Sequence, residues 1–125
     1  MKLSINLLFV FYFTFSSLLA NDYTILSFDD HPIQGTLVES NEDSFFLAII
    51  IAGSGPTDRD GNNSSMTSNY LKMLAEELNK NGINSFRYDK RGVSKSLGDI
   101  KSPNEIKFLD YVNDAKSIIN YFKDT

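Results

Sequence analysis

Residues 45–52 read FFLAIIIA, eight apolar residues in a row that stop at Gly53-Ser54-Gly55-Pro56. A strand with one face in water alternates apolar and polar residues. This one does not alternate, which is the pattern of a strand covered on both faces in a parallel sheet. Covering both faces takes helices above and below, so this stretch alone points to an α/β architecture. The flanking sequence agrees. Residues 23–28 (YTILSF) and 33–39 (IQGTLVE) read as strands joined at Asp29-Asp30-His31-Pro32, a turn-forming run, and so as a hairpin.

Downstream, residues 65–81 predict a helix with Leu71, Leu74, Ala75 and Leu78 on one face, closed by Asn81-Gly82. Residues 83–88 (INSFRY) predict a short strand that runs into Asp89-Lys90-Arg91-Gly92. Ser102-Pro103-Asn104-Glu105 has the cap chemistry of a helix start, and Leu109, Val112, Ala115, Ile119 and Phe122 give that helix one apolar stripe. The expected order is hairpin, buried strand, helix, strand, helix. Strand–helix–strand implies a parallel crossover and a three-layer α/β fold.

The 125 residues suffice for one small domain. At 42% hydrophobic and 22% charged, with ten Phe and six Tyr, the chain can build a packed core. Net charge is −4 and no basic cluster occurs, which argues against nucleic acid as a partner. With no cysteine there is no disulfide, thiolate zinc site, cysteine nucleophile or lipid-modified Cys. Residues 1–20 follow another rule: Lys2, an apolar run from Leu3 to Phe15, then Ser16, Ser17 and Ala20. That is the pattern of a secretory signal peptide cleaved near Ala20–Asn21, so the expected location is secreted or periplasmic. The run is short for a membrane span, and no span is expected after cleavage.

The loop after the apolar strand, GSGPTDRDGNN, admits three readings. A phosphate cradle is a poor fit: neither glycine-rich signature is present, Pro56 removes a donor, and Asp58 and Asp60 would repel phosphate. A calcium loop has Asp58, Asp60 and Asn62 at the right spacing, but Asn69 stands where the closing Glu should be. A polar loop held by its own side chains and an Arg59 ion pair describes those residues better, and no metal or cofactor is expected. The third reading is an oxyanion turn. Gly53 and Gly55 let the backbone fold back and leave an amide reachable by a developing oxyanion.

IIIAGSGPTDRDGN, LAEELNKNGINSFRYDKRGVSKS and DYVNDAKSIINYF together resemble bacterial α/β-hydrolases of the serine aminopeptidase and lysophospholipase-like branch, over residues 23–122. The resemblance implies the N-terminal half of an α/β-hydrolase fold in residues 21–125. It puts the oxyanion-hole amide on Ser54, between Gly53 and Gly55. It makes Asp58, Arg59, Asp60, Asn62, Asp89 and Arg91 residues that order the loops. Relatives carry glycine where this chain has Ser94, a departure within the turn after the fourth strand.

The nucleophile elbow of such enzymes, GxSxG, does not occur in the chain. Its nearest imitation, Gly92-Val93-Ser94-Lys95-Ser96, lacks the closing glycine and reads as loop. The one histidine, His31, precedes every candidate serine of the loop region and reads as an exposed turn residue. The expected function is therefore an exported serine hydrolase acting on a small-molecule ester, thioester or peptide. Here it is represented by a portion that precedes nucleophile, acid and base. The alternative is a non-catalytic secreted α/β module or decayed gene product that binds a partner along its sheet edge, with an unpaired fourth strand as that edge.

Overall fold

A computed structural model describes residues 19–40 and 43–124. Apart from Leu19 and Ala20, the expected signal segment lies outside the described residues. The elements are β1 (Leu19–Leu26), β2 (Pro32–Glu39), β3 (Leu47–Ile51), α1 (Tyr70–Lys80), β4 (Asn84–Tyr88) and α2 (Phe108–Lys123). Short 3-10 turns occur at Ser94–Ser96 and Pro103–Glu105.

The four strands form one sheet in the order β1-β2-β4-β3. β1 and β2 are an antiparallel hairpin, with Tyr23 opposite Gly35 and Ile25 opposite Ile33. β4 lies antiparallel to β2 and parallel to β3, with Ile49 beside Phe86. The period-2 alternation of the strands then sorts the core into two halves. Ile25, Ile33, Leu37, Phe86 and Tyr88 meet Ile118 and Phe122 of α2, while Val38, Ile50 and Ala52 meet Leu71 and Ala75 of α1. Helix, sheet and helix are thus the three layers that the sequence implies. Gly35 marks the tightest point, since a Cβ there would sit 2.1 Å from the Phe86 ring.

Several expectations need correction. β4 is not an edge, since it lies between β2 and β3; among the described residues the edge strands are β1 and β3. The apolar run is therefore not covered throughout: Phe45 is 95% and Ile51 54% exposed. α1 starts at Tyr70 rather than near residue 65. Asn62 Oδ1 accepts from the Ser68 and Asn69 N–H groups, and Asn69 is left-handed at φ 55°, so polar side chains outcompete the first helical turn. Ser102 does cap a turn, accepting from the Asn104 N–H, but Ile106 is extended and α2 begins at Phe108. On α2 the buried positions are Asp114 and Ile118, whereas Leu109 and Ile119 are exposed. The face that meets the sheet carries a carboxylate, which a count of apolar residues assigns to solvent.

Candidate active site

The ends of β3 and β4 lie side by side, and the segments that leave them define the candidate site. After Ile51 the chain passes through buried Ala52 into the exposed residues Gly53, Ser54, Gly55 and Pro56. Gly55 takes φ +84°, a left-handed conformation that glycine adopts without strain. After Tyr88 the β4 ladder continues by one bond, Asp89 N–H to Gln34 O at 2.9 Å, before the Lys90–Arg91 turn.

The Lys90 ammonium reaches across to the neighbouring segment. It donates to the Gly53 carbonyl and, at 2.9 Å, to the Gly55 carbonyl. Burial pushes the Lys90 amine below its ordinary value. Among the described residues nothing accepts from the Ser54 N–H. Lys90 lies within the Asp89-Lys90-Arg91-Gly92 turn, and alternation past the end of β4 sets Tyr88 and Lys90 apart from Arg87 and Asp89.

The six residues assigned to loop ordering separate into two places. On the α1 side, Asp89 is 1% and Arg59 7% exposed. Asp89 accepts from the Arg59 backbone N–H at 2.7 Å and from its guanidinium at 3.0 and 3.2 Å. The same guanidinium reaches Thr36 Oγ1 at 3.0 Å and Asp22 at 3.4 Å. Asp22 in turn is held below the usual carboxylate range, first by the Thr36 hydroxyl and then by Arg59 and Lys95. Asp58 Oδ1 accepts the N–H groups of Asp60 and Asn62, and the Asp60 carboxylate pairs with Arg87 at 2.8 Å. Both carboxylates that suggested a calcium loop thus have partners within the protein.

Arg91 faces α2 instead. It binds Asp114 at 2.6 and 3.1 Å and grips Asp29 with two bonds of 2.7 Å, while its guanidinium lies 5.3 Å from the centre of the Phe28 ring. The Arg91 bonds hold the Asp29 carboxyl below its usual range. Burial, reinforced by the charge of Asp114, pushes the Tyr88 hydroxyl up to about 12. Asp89 and Arg91 are two residues apart but stitch different layers. Asp29 of the hairpin turn and Asp114 of the DYVNDAKSIINYF segment were not singled out as site residues; their signal was that a buried arginine needs carboxylates.

Ser94 stands at φ +48°, so the serine occupies a conformation that favours glycine. Ser96 is fully buried, and its hydroxyl accepts from the Gln34 N–H at 2.8 Å, a structural bond. His31 is not an exposed turn residue. It is half-buried, with Nε2 2.9 Å from the Ser96 carbonyl, because the loop after β4 folds back over the hairpin turn. Among the described residues no group of three or more His, Cys, Asp or Glu could hold a metal ion, and no helix is long and apolar enough to cross a membrane.

No protein-family model matches the sequence, and no curated protein matches it. Solved structures do resemble it. The α/β hydrolase GrgF from Penicillium sp. sh18 superposes with a TM-score of 0.67 at 18% identity, over 86% of this chain and 33% of its own. An esterase of Pyrococcus furiosus gives 0.62 at 18% identity, over 86% and 38%. A cold-adapted esterase from an Arctic intertidal metagenomic library gives 0.62 at 12% identity, over 84% and 44%. The chain thus spans between a third and under half of the length of these structures. At such identities the likeness speaks to architecture, and it agrees with the mixed sheet and its two helical layers: this chain has the α/β-hydrolase fold over that portion.

Proposed function

We propose that this chain is the oxyanion-bearing portion of an exported serine hydrolase. It would belong to the serine aminopeptidase and lysophospholipase-like branch and cleave a small-molecule ester, thioester or peptide by acyl transfer to water. The observation that carries this reading is the Ser54 amide, which lies just beyond β3, exposed and without an acceptor among the described residues. An unpaired N–H at the end of a parallel strand suits a tetrahedral oxyanion, and removing one such donor typically costs about 3–4 kcal/mol of transition-state stabilisation. The Ser54 hydroxyl has no role in this reading. Residues outside residues 1–125 would supply nucleophile, acid and base, because the chain contains no GxSxG. Export rests on the pattern of residues 1–20.

The 125-residue chain alone is expected to hydrolyse p-nitrophenyl acetate no faster than buffer. Turnover that a serine-directed inhibitor abolishes would contradict the assignment of the triad to other residues. Reading the gene past the Thr125 codon tests the family: an apolar strand followed by GxSxG is the expected continuation.

The open β3 edge favours a second reading, a non-catalytic module that accepts a partner strand. Ile51, Tyr88, Val112, Ala115 and Ile119 line an apolar groove of about 360 Å³ beside that edge. A stop codon directly after Thr125, together with binding of an apolar strand peptide, would favour the module.

A further inference from the structure

The Gly53–Pro56 turn is exposed and takes little support from the core, yet an oxyanion donor has to be aimed before substrate arrives. The fixed point is Lys90. We propose that Lys90 is the positioning residue of this turn: its ammonium, bound to the Gly53 and Gly55 carbonyls, directs the Ser54 N–H away from the protein and toward substrate. The inference rests on the reading of Ser54 as an oxyanion donor.

The direction follows from the peptide unit. A trans peptide is planar, and its C=O and N–H point opposite ways. No cis peptide occurs among the described residues. The carbonyl of Gly53 and the N–H of Ser54 belong to one such unit. Once Lys90 holds that oxygen, the hydrogen is fixed on the far side. The next carbonyl that Lys90 holds, on Gly55, is followed by Pro56, whose nitrogen carries no hydrogen. Two held carbonyls thus aim one donor, and the proline adds no competitor.

Gly55 makes the convergence possible. Gly55 at φ +84° reverses the chain so that both oxygens meet one cation, and nothing lies within 4 Å of where a Gly53 Cβ would be. The cation also acts on the donor itself, since a carbonyl polarised by an ammonium makes the N–H of the same peptide a stronger donor. Lys90 does all this without touching substrate, so it is a positioning residue.

Burial along the groove lowers the Lys90 amine from its ordinary value, which gives the contact a titration signature. The titratable groups that share the groove are Tyr88 of β4, whose hydroxyl is pushed up to about 12, and Tyr111 and Lys116 of α2. The adjoining charges, Asp89 and Arg91, are engaged with Arg59 and Asp114.

The test is solution NMR of the full chain labelled with 15N and 13C. In the wild type, the Gly53 and Gly55 carbonyl shifts and the Ser54 amide shift are expected to titrate together, with one midpoint below the ordinary lysine value. Lys90→Met keeps the apolar stem and removes the donor. It is expected to abolish that shared titration and to lower the Ser54 and Gly55 order parameters from about 0.85 to below about 0.6. Lys90→Arg is expected to restore the rigid values. A Met variant whose turn stays rigid overturns the proposal, and so does a wild-type turn whose carbonyls ignore the titration. The wild-type titration supports or overturns the proposal even should the Met variant not fold. None of these readouts depends on catalysis, so a failed hydrolase assignment would appear in the gene and the assay instead.

Discussion

Two loops that follow one another in the chain are held by opposite means. Residues 53–56 are exposed, and their fixed point is one lysine from the neighbouring strand end. Residues 58–69 are held by their own polar side chains, Asp58 and Asn62 above all, and are anchored to the core through Arg59 and Asp89. The contrast separates two tasks. The second loop is scaffold, built into the fold. The first presents backbone to solvent, which only a rigid neighbour on each side permits.

The largest test of that contrast strikes the anchor. Asp89→Asn leaves the Arg59 guanidinium without its buried charge partner, with only the exposed Asp22 carboxylate remaining, and breaking a buried pair on one side typically costs about 3–5 kcal/mol. Urea denaturation measures it, and a loss under about 1 kcal/mol would refute the anchoring role. A buried ion pair is not by itself a source of stability, since an apolar pair of matching shape can do as well. What Arg59 provides is a fixed location for the loop.

A smaller effect is expected inside the turn, with an internal control. Gly55→Ala forces an L residue to φ +84° and should cost about 1–2 kcal/mol. Gly53→Ala, with nothing in the way of its Cβ, should stay within about 0.5 kcal/mol. Equal costs at the two positions would show that the turn is not held as described.

The smallest effect concerns acid. Asp22 and Asp29 both have native values below the ordinary 3.8, Asp22 first through Thr36 and Asp29 first through Arg91. Below pH 3.8 the unfolded chain therefore takes up protons before the native one. Stability that is fully present above that pH is lost as pH falls through the lowered native values. Both side chains are substantially exposed, so solvent screens the contribution. Asp29→Asn should flatten the acid limb of an unfolding curve; a limb of unchanged steepness would remove Asp29 from the account.

The sequence announced the three layers because they rest on periodicity. The hairpin, the apolar strand, β4 and the body of α1 all follow from spacing that local chemistry does not override. It misplaced the open edge because strand order is set by tertiary pairing: β4 inserts between β2 and β3, and residues 45–52 look the same in an edge or a central strand. The start of α1 was lost to asparagine side chains that bind backbone ahead of the helix. The buried face of α2 was misread because Asp114 is neutralised by Arg91, 23 positions away. In the candidate site, glycines and charged residues were visible as a pattern. The partners of each charge were not, since Thr36, Asp29 and Lys90 reach their places through the fold.

The strand order also says something about time. The hairpin can close as soon as its residues exist, but among the described residues β3 has no neighbour in the sheet except β4, which lies beyond the whole of α1. Until β4 is in place, the most apolar segment after residue 20 has no strand to join. Contacts that close late slow a fold and lengthen the interval in which such a segment can find another chain. During synthesis, residues 45–52 are therefore open to pairing with other chains until β4 has formed.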